Sequence, residues 1–137
     1  MTPRQIVRLM KDLESETSKQ KIALADVLPA LDCGRNTLRN YPGLTSAFPI
    51  ASMVGKTGTL VQTDGGVIAL AGSLQTDKGL VVFFIGAPRN GARLTAARRA
   101  QARWLTQQMA RWHFVESECR PFGMRSYDSV IVAPAAE

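Results

Sequence analysis

The chain has 137 residues, 45% of them hydrophobic and 20% charged, which describes one ordinary globular domain or less and excludes a disordered chain. The formal net charge of +6 suggests an anionic partner such as nucleic acid, acidic lipid or cell-wall polymer, without choosing among them. No apolar run approaches the roughly 20 residues that a membrane-spanning helix needs.

The opening Met1-Thr2-Pro3-Arg4-Gln5 turns amphipathic at once and has neither the apolar core nor the cleavage site of a signal peptide. Taken as complete, the chain is expected in the cytoplasm; as the end of a longer exported protein, it belongs to the periplasm or cell envelope. Thr2 can cap a first helix, Pro3 suits its first position, and Gln5 completes a capping box. Ile6, Leu9, Met10 and Leu13 follow the spacing of one buried face, and the polar stretch Ser15–Gln20 is expected to end the helix. Ala23 to Leu28 reads as a short second helix stopped by Pro29. From Ala30 to Ser52 the chain reads as a loop, and a loop of that length often lies near a functional site.

The middle predicts a three-stranded antiparallel meander: Met53–Gln62, Val67–Gln75 and Leu80–Ala87, joined by turns at Thr63-Asp64-Gly65-Gly66 and Thr76-Asp77-Lys78-Gly79. Pro88-Arg89-Asn90-Gly91 breaks the sheet, and Ala92–Trp112 predicts a long helix. Leu94, Ala97, Trp104, Leu105 and Met109 mark its apolar side, with the two tryptophans Trp104 and Trp112 as core anchors. Arg93, Arg98, Arg99, Arg103 and Arg111 form a solvated outer side. An amphipathic helix after a meander should pack on one face of that sheet. The fold class is therefore α+β, an antiparallel meander packed by N-terminal and long C-terminal helices. His113 follows a helix end, where a cation is favoured. The tail beyond it holds Pro121, Gly123 and the apolar run Val130–Ala133, which no pattern places. Cys33 and Cys119 lack CxxC partners, which removes support for a zinc site and leaves open either one disulfide or two thiols. Neither a metal nor any other cofactor is expected.

One motif carries chemistry. Gly55-Lys56-Thr57-Gly58-Thr59-Leu60 lies inside the first strand, ahead of a Gly-rich turn and a second strand bearing Ala69-Leu70-Ala71-Gly72. A side-chain-free Gly58 lets another backbone approach closely. The Thr57 and Thr59 hydroxyls are suited to a carboxylate, Lys56 adds charge beside them, and the Thr59 amide is a candidate oxyanion donor.

Order, spacing and residues here resemble the end of the penicillin-binding serine peptidases, the superfamily that includes serine β-lactamases. The likeness is greatest to the low-molecular-mass D-alanyl-D-alanine carboxypeptidases and endopeptidases. Upstream, the Thr2-Pro3-Arg4 helix start and Asn36-Thr37-Leu38-Arg39-Asn40 fit as well. The resemblance runs from about Thr2 to Trp112, so residues 1–113 would be the C-terminal portion of a transpeptidase-like domain and 114–137 a tail outside it. It implies a substrate-binding wall for peptidoglycan stem peptides or β-lactams: Lys56 as a catalytic residue, and Thr57, Gly58 and Thr59 as substrate-binding residues. The superfamily also requires S-x-x-K and S-x-N. Ser18-Lys19-Gln20-Lys21 spells the first, but in a polar segment too close to Lys56, and no S-x-N occurs. The chain is thus expected to lack the nucleophile, to be inactive in isolation, and to need either the missing N-terminal portion or self-association. The alternative is a non-catalytic basic module contacting nucleic acid or another polyanion through the last helix, with few aromatics available for base stacking.

Overall fold

A computed structural model describes residues 2–60 and 66–119. The end of the first strand read from sequence (positions 61 and 62), its turn at Thr63–Gly65, and the tail with Pro121, Gly123 and Val130–Ala133 lie outside the described residues. Helix α1 spans Pro3–Lys19 and starts as its residues dictate: the Thr2 amide donates to Gln5 Oε1 at 2.7 Å and the Gln5 amide to Thr2 Oγ1 at 3.2 Å. It ends within the polar stretch Ser15–Gln20, near its far end at Lys19. Thr17 is buried, its hydroxyl donates to Glu14 O at 3.0 Å, and the helix runs on until Lys21 turns it off at φ 57°. Met10 and Thr17 are the residues α1 buries, with Ile6 and Leu13 half-buried, while Leu9 is 56% exposed and belongs to the outer side.

The expected second helix is a single 3-10 turn, Leu24–Asp26. The segment from Ala30 to Ser52 holds another 3-10 turn, Thr37–Asn40, and the four-residue helix α2, Leu44–Ala47. Although mostly irregular, it sends Leu31, Leu38, Tyr41, Leu44 and Phe48 into the main core.

Strands β1 (Met53–Leu60), β2 (Val67–Thr76) and β3 (Gly79–Pro88) form one antiparallel sheet in sequence order. Met53 pairs with Leu74 and Thr59 with Ile68; Leu70 pairs with Ile85 and Leu74 with Val81. Alternation along the strands puts Met53, Gly55, Thr57 and Thr59 on the same face as Leu70, Leu74 and Phe83. On that face lie the 30–52 segment and α3 (Leu94–Gln108), which buries Gln101, Ala102 and Leu105, with Met109 just beyond its end. Helix α1 covers the other face, over β3 and β2. The result is an α+β structure of helix, sheet and helix-plus-loop layers.

Helix α3 meets the expectation of packing on the sheet, but it spans Leu94–Gln108 and ends before Trp112, and neither tryptophan is a core anchor. Trp104 is 47% exposed and Trp112 37% exposed; the inward positions are taken by Gln101 and Ala102. Trp104 instead lines an apolar groove of about 610 Å³ between α3 and the outer edge of β3, with Pro3, Phe84, Ile85 and Ala97. After α3 the chain returns along the sheet. Phe114 stacks edge-to-face on Phe48 with ring centroids 4.8 Å apart, and the Ser117 amide donates to Ile50 O at 3.2 Å. A disulfide then joins Cys119 to Cys33, Cα to Cα 5.2 Å, which resolves the pairing that the sequence left open. No helix among the described residues is long and apolar enough to cross a membrane.

Candidate functional site on the free edge of β1

Strand β1 has β2 on one side only. Its first half is nevertheless covered on the other side: the Leu31 amide donates to Met53 O at 2.8 Å and the Gly55 amide to Pro29 O at 2.9 Å. Backbone groups alternate between the two edges of a strand. The amides and carbonyls of Thr57 and Thr59 therefore face outward like those of Met53 and Gly55, and they lie past the point where the 29–31 segment ends its cover. Among the described residues no backbone pairs with this edge of the strand at the Lys56-Thr57-Gly58-Thr59 stretch, which is open there. Lys56, Gly58 and Thr59 are exposed and Thr57 half-buried.

Each side chain of the stretch has a definite place. Lys56 projects to the α1 side of the sheet and its Nζ folds back to donate to Thr57 O at 2.6 Å, so its charge rests at the open edge. Thr57 and Thr59 point to the α3 side. The Thr57 hydroxyl bonds that of Thr37 at 2.8 Å, and Arg98 Nη2 donates to Thr59 Oγ1 at 3.4 Å. Thr37 is held by its own turn, where Asn36 caps Leu38 N at 3.0 Å and donates to Ala30 O at 2.8 Å. Arg98 lies over the Tyr41 ring, 5.8 Å from its centroid, and the Tyr41 hydroxyl donates to Ala69 O at 3.1 Å. Burial pushes the Tyr41 phenol above its ordinary pKa, against the opposing charge of Arg98.

Gly58 differs from the other glycines of the strand pair. A Cβ built there would meet only the Ala69 Cβ at 3.8 Å, an ordinary contact, so the fold itself does not require glycine at this position. Its bareness keeps the strand low on the face it shares with Lys56.

The four residues singled out from the sequence are thus contiguous on one accessible strand edge. Two neighbours were not singled out. Thr37 lay in the segment Asn36–Asn40, noted only for its likeness to the upstream part of the family pattern. Arg98 was counted among solvated arginines, whereas it turns toward the sheet; Arg93, Arg99, Arg103 and Arg111 are exposed. Ser18 is elsewhere: it sits in the last turn of α1, exposed, and lines a cavity of about 600 Å³ with Val54, Ser73 and Cys119 that none of residues 56–59 borders. Among the described residues no cluster of three or more His, Cys, Asp or Glu is placed to hold a metal ion.

Two solved structures share this fold. They are the predatory endopeptidases Bd3459 and Bd0816 of Bdellovibrio bacteriovorus, each in complex with the immunity protein Bd3460; both superpose with a TM-score of 0.65, at 20% and 21% identity. Each match covers 88% of this chain and 31% of the endopeptidase chain, so this chain spans under a third of their length. No family model matches the sequence, and no curated protein does.

Proposed function

We propose that this chain is the substrate-binding portion of a serine-type D-Ala-D-Ala carboxypeptidase or endopeptidase acting on peptidoglycan stem peptides, and that it lacks the nucleophile. The observation that carries the reading is the open edge of β1 at Thr57 and Thr59, beginning where the 29–31 segment stops and bearing a glycine that the fold does not demand. A peptide added along that edge would bond the outward amides of Thr57 and Thr59 and the Thr59 carbonyl as a further strand, and would displace Lys56 Nζ to reach Thr57 O. The Thr59 amide would act as an oxyanion donor, where loss of one donor costs about 3 kcal/mol of transition-state stabilisation. Lys56 would stand beside the reacting centre with its ammonium at the strand edge. The nucleophilic serine and its lysine base would come from chain outside this segment, which fits the likeness to under a third of each endopeptidase. The same outside chain is the proposed cover of the apolar groove at Trp104.

The Cys33–Cys119 disulfide supports a site of action outside the reducing cytosol, in the periplasm or cell envelope. The test is reconstruction: joined to an upstream portion bearing S-x-x-K and S-x-N, the chain is expected to yield a protein labelled by a fluorescent penicillin. The label should be lost on Lys56→Ala. Labelling unchanged by Lys56→Ala would show that the strand is not the substrate wall.

A further inference from the structure

The cavity of about 600 Å³ that Ser18 borders lies on the α1 face of the sheet, away from the edge of β1. Ser73 stands there between Val54 and Val82 in the strand ladder, 2% exposed, and its hydroxyl has no hydrogen-bond partner among the described residues. A buried hydroxyl left idle costs stability. Because Ser73 lines the cavity, the open space is where its bond can be made.

The other polar groups of the lining are short of acceptors to give to, and rich in lone pairs to offer. Thr17 and Ser52, both buried, have already given their protons, to Glu14 O at 3.0 Å and Pro49 O at 2.7 Å. Acceptance is what remains to them. Gln75 turns its Nε2 to Thr76 O at 3.4 Å, so its side-chain oxygen is the unspent group.

Charge points the same way. Among the described residues the lining holds two carboxylates, Glu14 of α1 and Glu118 of the returning segment, and no Lys, Arg or His; neither carboxylate has an ion-pair partner. Glu118 is kept at the rim between the Ser117–Ile50 bond and the Cys33–Cys119 disulfide. In a chain of net charge +6 this is a local negative field within a positive molecule. Two carboxylates fall short of a metal's ligand set, and Ile22, Leu24 and Leu80 supply aliphatic wall in place of further oxygens. A ligand that fits brings several N–H donors, a positive charge and a short apolar stem.

We propose that this cavity binds a primary alkylammonium group, its donors taken by Glu14, Glu118 and Ser73 and its stem lying against Ile22, Leu24 and Leu80. The site is separate from the edge of β1 and does not rest on the reading given to that edge. A free aliphatic amine and a lysine-like side chain on a peptide share this chemistry.

The experiment is a titration of the isotopically labelled chain with n-pentylamine, with n-pentanol as its neutral counterpart, and with Nα-acetyl-lysine methylamide, followed at the amide resonances of Val54 and Ser73. Pentylamine is expected to bind about tenfold more tightly than pentanol, as for one charge-assisted contact. Glu14→Gln and Glu118→Gln should each reduce that preference. Ser73→Ala should weaken amine binding about fivefold while leaving the urea midpoint unchanged or raised, which a serine serving the fold would not show. Binding of the lysine derivative at the strength of pentylamine identifies a peptide side chain as the source; binding of pentylamine without it identifies a free amine. Equal affinity for amine and alcohol, or no movement of the Val54 and Ser73 resonances with either, overturns the site. The amine–alcohol comparison uses the unaltered chain, so it stands even where a variant fails to fold.

Discussion

Gly55 lies directly opposite Gly72 in the β1–β2 ladder, and neither can carry a side chain: a Cβ on Gly55 would stand 2.7 Å from Ala71 O, and one on Gly72 2.6 Å from Val54 O. The obstacle in both cases is backbone, which cannot swing aside. Gly58, only three residues along the same strand, meets no such obstacle. Gly55→Ala and Gly72→Ala are therefore expected to destabilise by about 1–3 kcal/mol each. Gly58→Ala should leave stability unchanged or raise it by about 0.5–1 kcal/mol, since glycine weakens a strand interior. Chemical denaturation separates the two classes. A large loss on Gly58→Ala would mean that this glycine serves the fold and would remove one support of the functional reading.

The end of α1 carries a strain that can be relieved. The Ile22 amide donates to Thr17 O at 2.9 Å and the Lys21 amide to Ser18 O at 3.1 Å, the pattern of a left-handed cap, with Lys21 at φ 57° where glycine is usual. Replacing Lys21 with Gly removes the steric cost of a side chain there, roughly 1 kcal/mol. A raised thermal midpoint is expected for Lys21→Gly, and a lowered one would contradict this description of the cap.

The disulfide closes a loop spanning 86 residues of sequence and ties the returning segment to the loop that carries Thr37. Reduction, or Cys119→Ser, should cost about 2–4 kcal/mol, chiefly by freeing the unfolded chain. Urea midpoints with and without reductant measure it; identical midpoints would show that the link does not form.

Tyr41 makes stability depend on alkaline pH. Its folded pKa is raised by burial, so the folded state holds the phenol proton more tightly than the unfolded chain does. The contribution is fully present below the unfolded pKa of about 10 and is lost as pH rises through the folded value. Ultraviolet titration should show a late-ionising tyrosine, assigned by its absence in Tyr41→Phe. That variant also loses the bond to Ala69 O, worth about 1 kcal/mol. Ionisation at or below pH 10 for both tyrosines of the chain would contradict the burial.

Legibility followed the range of the interactions. The Thr2–Gln5 cap, the alternation along β2 and the Asp-Gly turn at Thr76–Gly79 are local signals, and the elements they announce are present. The polar stretch Ser15–Gln20 does hold the end of α1, at Lys19, but most of it stays helical because one of its residues, Thr17, finds a buried place. Trp104 and Trp112 were misplaced for a related reason: apolar size argues for burial, but the side of α3 that meets the sheet is set by the small Ala102 and by Gln101, whose Nε2 reaches Ile68 O at 3.1 Å. The site divides in the same way. Lys56–Thr59 form one contiguous run, whereas Thr37 and Arg98 reach it across 20 and 39 residues of sequence and Tyr41 reaches Ala69 on the neighbouring strand across 28, distances at which no periodicity reports contact.

The most direct test of the central claim is the intact mass of the protein after incubation with excess penicillin, for the folded chain alone and for the chain joined to an upstream portion bearing S-x-x-K and S-x-N. The account predicts no adduct on the chain alone, and one opened penicillin on the joined protein, attached to the upstream serine. An adduct on the isolated chain, at Ser18 or elsewhere, would contradict the missing nucleophile. No adduct on any of several well-folded joined proteins would contradict the assignment of β1 as a substrate wall.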